Sequence, residues 1–465
     1  MTTEPAARAS GAPDPKPAPF PRSFWTANVT ELFERAAYYA MASWVVIYLG
    51  QLGLGKYWPS TLNSWLWFLV YFLPILSGTI ADRVGFRKSL LFAFVLLCIG
   101  YTAMGYPVWF GGAALVDPPP DAYVAPPGVF PLVLAGILFI GLGGSVIKPC
   151  ISGTVQKTAG LRATLGFGIF YTIINLGSLT GRGTAYVVRT RSSLAMIFAV
   201  AAAACVVAFM VVLLVYRDPE QELGTAAAKP RKSIARILAD MVIVLRNPRF
   251  TLFLLVTTGF FFLYSQVYNV LPLYLKKVVE TKPPVDLYTM ANPLVIVCFQ
   301  LLVTKLFGKW KPIVSMMVGT AIIAAAFVLN LVPVYLAGGL HASFADLLPL
   351  GSLFIVLTIA AAAFGELFAS ARVYEYIGAL APKGQEGLFL GYANLPMALG
   401  ALIGGPVGAA IFNEVMCKGA TKLPSGLLEL DRGSAARGWI ILMLIGLVSA
   451  AGVWVYHRWL EKQKS

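Results

Sequence analysis

The chain has 465 residues, 58% of them hydrophobic and only 12% charged, a composition that excludes a soluble globular domain and points to an integral membrane protein. Its net charge is +15, but the basic residues are distributed around apolar runs rather than gathered in one patch, which argues against nucleic acid as the partner. Five cysteines (Cys98, Cys150, Cys205, Cys298, Cys417) without paired spacing, and two isolated histidines, predict neither a disulfide framework, nor a metal site, nor a bound cofactor.

Residues 1–23 are rich in Pro and Ala and lack an apolar run, so they read as a disordered cytoplasmic tail and not as a signal peptide. Twelve apolar stretches follow, near 24–50, 60–82, 88–109, 128–150, 163–188, 192–216, 250–275, 287–307, 312–336, 349–372, 388–413 and 437–459. Each has about 20 residues or more, the length a helix needs to cross a bilayer. Six stand on each side of a basic segment, 217–249. The expected fold is therefore all-α, with twelve transmembrane helices in two six-helix halves, 24–216 and 250–459, and a short tail, 460–465. Such a division suits two repeated halves that rock about a site at the membrane midplane. With the N-terminus inside, the inner segments hold 23 Lys and Arg and the outer loops 10, which predicts both termini in the cytoplasm of a plasma (inner) membrane.

The first stretch contains ELFERAAYYAM, Glu31 to Met41. On a helix Glu31, Glu34, Arg35 and Tyr38 share one face, because i, i+3, i+4 and i+7 lie within about 100° of one another. A charge at membrane depth costs at least about 2.5 to 3.5 kcal/mol, so three such groups must face a cavity or each other. The alternative is an ordinary helix start in the headgroup layer with Arg35 snorkelling outward. Gly50 to Lys56 fits the spacing of a phosphate-binding loop, but Tyr57 stands where the magnesium-binding hydroxyl belongs and no strand precedes it.

The second stretch ends in GTIADRVGFRK, Gly78 to Lys88, a tight basic inner turn. The proline-rich outer loop Asp117 to Gly128 carries no visible chemistry. In the fourth stretch Lys148 precedes Pro149 within apolar sequence; it either snorkels at the helix end or awaits a carboxylate. In the fifth, Asn175, Ser178 and Arg182 recur on one helical face. Asn175 is either a substrate contact or an interhelical tie. Arg182 either faces the cavity or lies at the outer interface. Within 217–249, Ile234, Ile237, Leu238, Met241 and Val242 form one apolar face and predict an amphipathic linker helix on the inner surface. The second half has few polar residues inside its spans: Gln266, Asn269, Asn292, Gln300 and Glu366. Lys148 and Glu366 lie at matching depths, which makes a pair across the halves feasible. Gly400, Gly404 and Gly408 read as a packing face.

Glu31, Glu34, Arg35, Tyr38 and Tyr39 reproduce the E-x-x-E-R and paired-tyrosine motif of the proton-dependent oligopeptide transporter family, within the major facilitator superfamily. Phe170 to Ser178, Lys148-Pro149, Gly365-Glu366 and the Gly78 to Lys88 turn are similar to further motifs of that family and superfamily, in the same order. The resemblance implies that Glu31, Glu34, Arg35 and Glu366 couple to protons and that Lys148 and Glu366 form an inner gate pair. It also implies that Tyr38, Tyr39, Asn175 and Asn292 contact peptide. Gln266 joins these as a candidate contact. Two departures stand out: Ala42 replaces the arginine, and Ser265 the glutamate, of the family's outer gate pair. Arg182 lies at the depth of Ala42 and is the candidate replacement for that arginine; if Lys148 and Arg35 are tied to carboxylates, Arg182 is left for a substrate carboxylate.

The expected activity is that of a proton-coupled symporter, not an enzyme, importing di- or tripeptides or peptide-like molecules by alternating access as a monomeric unit in the lipid bilayer. The alternative is a transporter or exporter of the same superfamily acting on a drug, an amino acid or an organic anion. A membrane enzyme or sensor is disfavoured, since no nucleophile or metal constellation is present.

Overall fold

Prolines and caps set many of the helix starts. Asn247 accepts hydrogen bonds from the amides of Arg249 (3.1 Å) and Phe250 (3.3 Å) while Pro248 fills the first helical position, where its missing N–H costs nothing. Asp431 caps the last helix through the Ser434 amide at 2.8 Å, and that backbone bond, aided by the Ser434 hydroxyl, holds its carboxyl below the usual range. A computed structural model of the chain describes residues 19–117, 123–224, 239, 242–336, 339–380 and 392–462. Its crossing helices are α1 (Arg22–Ala42), α2 (Trp58–Phe72), α3 (Phe86–Trp109), α4 (Val129–Ala159), α5 (Ala163–Arg191) and α6 (Met196–Leu214). They are followed by α7 (Pro248–Ser265), α8 (Ala291–Phe307), α9 (Pro312–Val328), α10 (Leu350–Leu380), α11 (Leu395–Ala410) and α12 (Arg432–Lys462).

Among the described residues nine helical segments are long and apolar enough to cross a membrane alone. A tenth crossing is α2 with its continuation Pro74–Val84, bent by 47° where Pro74 interrupts the hydrogen-bond ladder. The two remaining helices, α1 and α5, carry the charged stripes. Helices α4 and α10 each run 31 residues, beyond the stretches read from hydropathy, because an apolar run marks only the part of a helix that lies in lipid. Two minimal antiparallel hairpins, Ser343–Phe344 with Leu348–Pro349 and Thr421–Lys422 with Leu428–Glu429, add strands to the all-helical expectation. Ala345 and Asp346 turn the first of these with positive φ, as a tight hairpin requires. The linker face at Ile234, Ile237, Leu238 and Met241 lies outside the described residues, as does most of the N-terminal tail.

The packing repeats with a shift of six helices. Contacts α1–α5, α1–α6, α2–α4, α3–α4 and α3–α6 recur as α7–α11, α7–α12, α8–α10, α9–α10 and α9–α12. The halves meet along α2–α11 and α5–α8, a pair of contacts that the same six-helix exchange interconverts. The α2–α11 seam is close: a Cβ added at Gly405 would lie 2.0 Å from the Ser64 hydroxyl, so only glycine lets the helices approach this far.

Candidate functional site

Helix α1 brings its charged face into the protein and not to its surface. Glu31 and Glu34 are 1% exposed and Arg35 7%. The Arg35 guanidinium lies between them, with Nε 2.5 Å from Glu34 Oε2 and 3.4 Å from Glu31 Oε1. Glu31 Oε2 is buried without a hydrogen-bond partner. One cation thus serves two buried carboxylates, which leaves the triad one negative charge in excess and gives a proton a place to bind. Arg35 also stacks over Tyr38 at 5.2 Å, whose hydroxyl is buried without a partner.

Aromatic rings continue from this cluster across the boundary between the halves. Trp67 contacts Tyr71 (5.6 Å), Tyr264 (6.4 Å) and Tyr268 (4.9 Å), so α2 and α7 share one aromatic wall. Lys148 of α4 is half-buried with its ammonium 5.7 Å from the Tyr71 ring. Glu366 of α10 accepts weak bonds from Asn292 (3.4 Å) and Ser370 (3.5 Å), and Asn292 also reaches the Tyr264 hydroxyl. Asn175 spends its amide N–H on the Tyr171 carbonyl of its own helix, which leaves its oxygen available. The expected pair is not formed here: Lys148 makes a cation–π contact and Glu366 sits in a set of neutral donors.

The outer side, taken as the side away from both termini, is closed. The short helix Val285–Thr289 that leads into α8 carries Asp286, 1% exposed. Arg189 of α5 grips it with two parallel bonds, Nε to Oδ2 at 2.9 Å and an Nη at 3.0 Å to Oδ1. The Trp44 indole N–H donates to the same carboxylate at 3.3 Å while its ring covers Arg189 at 4.5 Å. A turn deeper, the hydroxyls of Ser43 and Thr289 meet at 2.9 Å. Tyr57 to Glu414 and Asn63 to Asn269 (3.2 Å) extend the same seam. These hydrogen bonds and ion pairs join the halves on this side and along the α2–α11 seam.

Two expected contacts sit elsewhere. Arg182 is fully buried, and its donors are taken by Thr289 (3.1 Å), Tyr268 (3.1 Å) and Ser178, with the guanidinium 4.6 Å over the Tyr39 ring. It belongs to the outer closure and is not presented to a substrate in this conformation. Gln266, 0% exposed, ties α7 to α11 by donating to the Gly404 carbonyl at 3.1 Å. The 3₁₀ turn after α7 places it against the glycine face, where a Cβ at Gly408 would meet its Oε1 at 2.2 Å. Sequence reasoning missed Arg189, Asp286 and Trp44. The available signal was that Arg189 follows Arg182 by seven residues on the same face of α5.

Residues 24–338 match the model of the Major Facilitator Superfamily. The chain is 30% identical over 170 residues to Peptide transporter family 1 of Drosophila melanogaster, covering 35% of this chain and 21% of that protein. It is 32% identical over 171 residues to a di-/tripeptide transporter of Lactococcus lactis subsp. cremoris, covering 34% of this chain and 30% of that protein. These matches thus span less than a third of each relative. Its fold is similar to the crystal structure of a POT family transporter in complex with 5-aminolevulinic acid, with a TM-score of 0.71 and 20% identity over 94% of this chain and 96% of the other. A POT family transporter in complex with a thioalcohol-conjugated peptide gives 0.72 and 19% over the same shares. With a match that spans most of its length and a fold built of two six-helix repeats, the chain belongs to the major facilitator superfamily.

Proposed function

We propose that the chain is a proton-coupled symporter of the proton-dependent oligopeptide transporter type, importing di- or tripeptides or peptide-like molecules. The observation that carries this reading is the α1 triad, in which one buried arginine faces two buried carboxylates. Protonation restores its neutrality, and loss of the proton inside restores the ion pair. Each proton moving inward gains about 2.3 kcal/mol per 100 mV, which drives the substrate with it. Tyr38, Tyr39, Asn175 and Asn292 are the proposed substrate contacts. Lys148 and Glu366 approach when the inner side closes, as the outer closure opens. The transport unit is a monomer, and both termini lie in the cytoplasm.

Reconstituted protein is expected to accumulate a labelled dipeptide under an inward proton gradient, and Glu34→Gln to abolish that accumulation while retaining dipeptide counterflow. Exchange needs the binding site but no net proton movement. Equal loss of both, in folded protein, removes Glu34 from coupling. Accumulation of organic solutes but of no peptide favours another substrate class of the same superfamily.

A further inference from the structure

Away from the boundary between the halves, the start of α9 and the end of α12 enclose a groove of about 300 Å³. Its floor is apolar, formed by Ile313, Val314, Met317, Val453 and Trp454. Its rim is charged. Glu461 is shared by Lys311 (3.5 Å) and His457 (3.3 Å), while Arg458 pairs with no carboxylate in that rim and lies 5.6 Å from the ring of Trp454. Trp454 itself is 47% exposed.

We propose that this groove binds a phospholipid with an anionic headgroup, the start of an acyl chain on the apolar floor and the phosphodiester at Arg458 and Lys311. Four observations converge on that occupant. The groove is open to the bilayer along two helices that cross it. Its polar groups stand only at the helix ends, at the depth of headgroups. Trp454 joins floor to rim, as amphipathic rings do at a membrane interface. The fixed charges favour an anion: Lys311 and Arg458 outnumber Glu461, and the carboxylate is already bracketed by Lys311 and His457. A zwitterionic headgroup would bring its own ammonium against Arg458, whereas phosphatidylglycerol brings none.

The test uses the full chain in nanodiscs, with lipids brominated in the upper acyl chain as quenchers of tryptophan fluorescence. The Trp454 signal is the difference between the unaltered protein and Trp454→Phe. Brominated phosphatidylglycerol is expected to quench that signal at a mole fraction about fivefold lower than brominated phosphatidylcholine, the factor that one basic side chain near an anionic surface contributes. In the Lys311→Gln/Arg458→Gln variant the preference should fall close to one. Both positions lie at the surface, and an unchanged thermal unfolding temperature of the variant verifies the fold. Equal quenching of the Trp454 signal by the two lipids, or a preference that survives in the variant, overturns the proposal.

Discussion

Arg182 illustrates how far a residue's role depends on what its donors already bind. A charged residue inside a span invites the reading of a substrate anchor, and depth along the helix allowed that here. The structure gives each nitrogen of the guanidinium a hydroxyl, from Thr289, Ser178 and Tyr268. Two of these partners belong to the other half, so Arg182 stabilises the closed outer side. Its replacement by alanine should therefore lower transport of a dipeptide with a free C-terminus and of its amidated form by a similar factor, roughly tenfold, since hydrogen bonds to a charged group contribute about 1.5 to 3 kcal/mol. A loss confined to the free carboxylate in side-by-side competition assays would make Arg182 the anchor after all. The α1 triad, by contrast, was legible from sequence: three charges at helical spacing in apolar surroundings must meet, because the alternatives are too costly. Gln266 was not legible, because a buried amide serves a cavity and a helix contact equally well. Only the position of the Gly404 carbonyl decides between them.

At the scale of elements, the two sides of the molecule hold pairs expected to form in alternation. The outer pair, Arg189 with Asp286, is made; the inner pair, Lys148 with Glu366, is apart. Removing one member of a buried ion pair costs about 3 to 5 kcal/mol because the other charge is stranded. Asp286→Ala should thus shift the inward-to-outward ratio by at least an order of magnitude toward the outward-facing state. Spin labels at Lys56→Cys and Lys282→Cys, in a background without native cysteines, would report it as a longer distance across the outer side. An unchanged distance distribution would mean that the α2–α11 seam alone holds the outer side shut. For the inner pair the expectation is non-additivity: Lys148→Gln and Glu366→Gln should each impair uptake more than the double change. Additive losses would leave Lys148 and Glu366 without a shared step. The outer pair escaped sequence reasoning for a physical reason. Arg189 and Asp286 both border loops, where charges are inexpensive and ordinarily solvated, and only the short helix Val285–Thr289 turns Asp286 inward. The glycine face of α11 was legible, since small residues at four-residue spacing have few uses in a membrane other than close packing.

For the molecule as a whole, the fold was legible from hydropathy and charge bias alone, because a bilayer permits only helices or closed barrels and fixes their length. The six-helix repeat could be suspected from the position of the linker. It became visible as a packing rule only when α1–α5 recurred as α7–α11 and the inter-half contacts exchanged with each other. The conformational state was not legible at all: it depends on which of two sets of cross-half contacts is formed, and the sequence encodes both. On the proposed function, closure on the side away from the termini, with Glu31 Oε2 left without a hydrogen-bond partner, is the arrangement in which a symporter releases substrate and proton inward. The most direct measurement of this claim is proton movement driven by substrate. In proteoliposomes with a pH-sensitive dye inside, no initial pH gradient and a clamped potential, an inward dipeptide gradient should acidify the lumen. The same gradient should leave the dye unchanged when Glu34 is replaced by glutamine. Dipeptide entry at full rate without acidification in the unaltered protein would contradict proton coupling through the α1 triad.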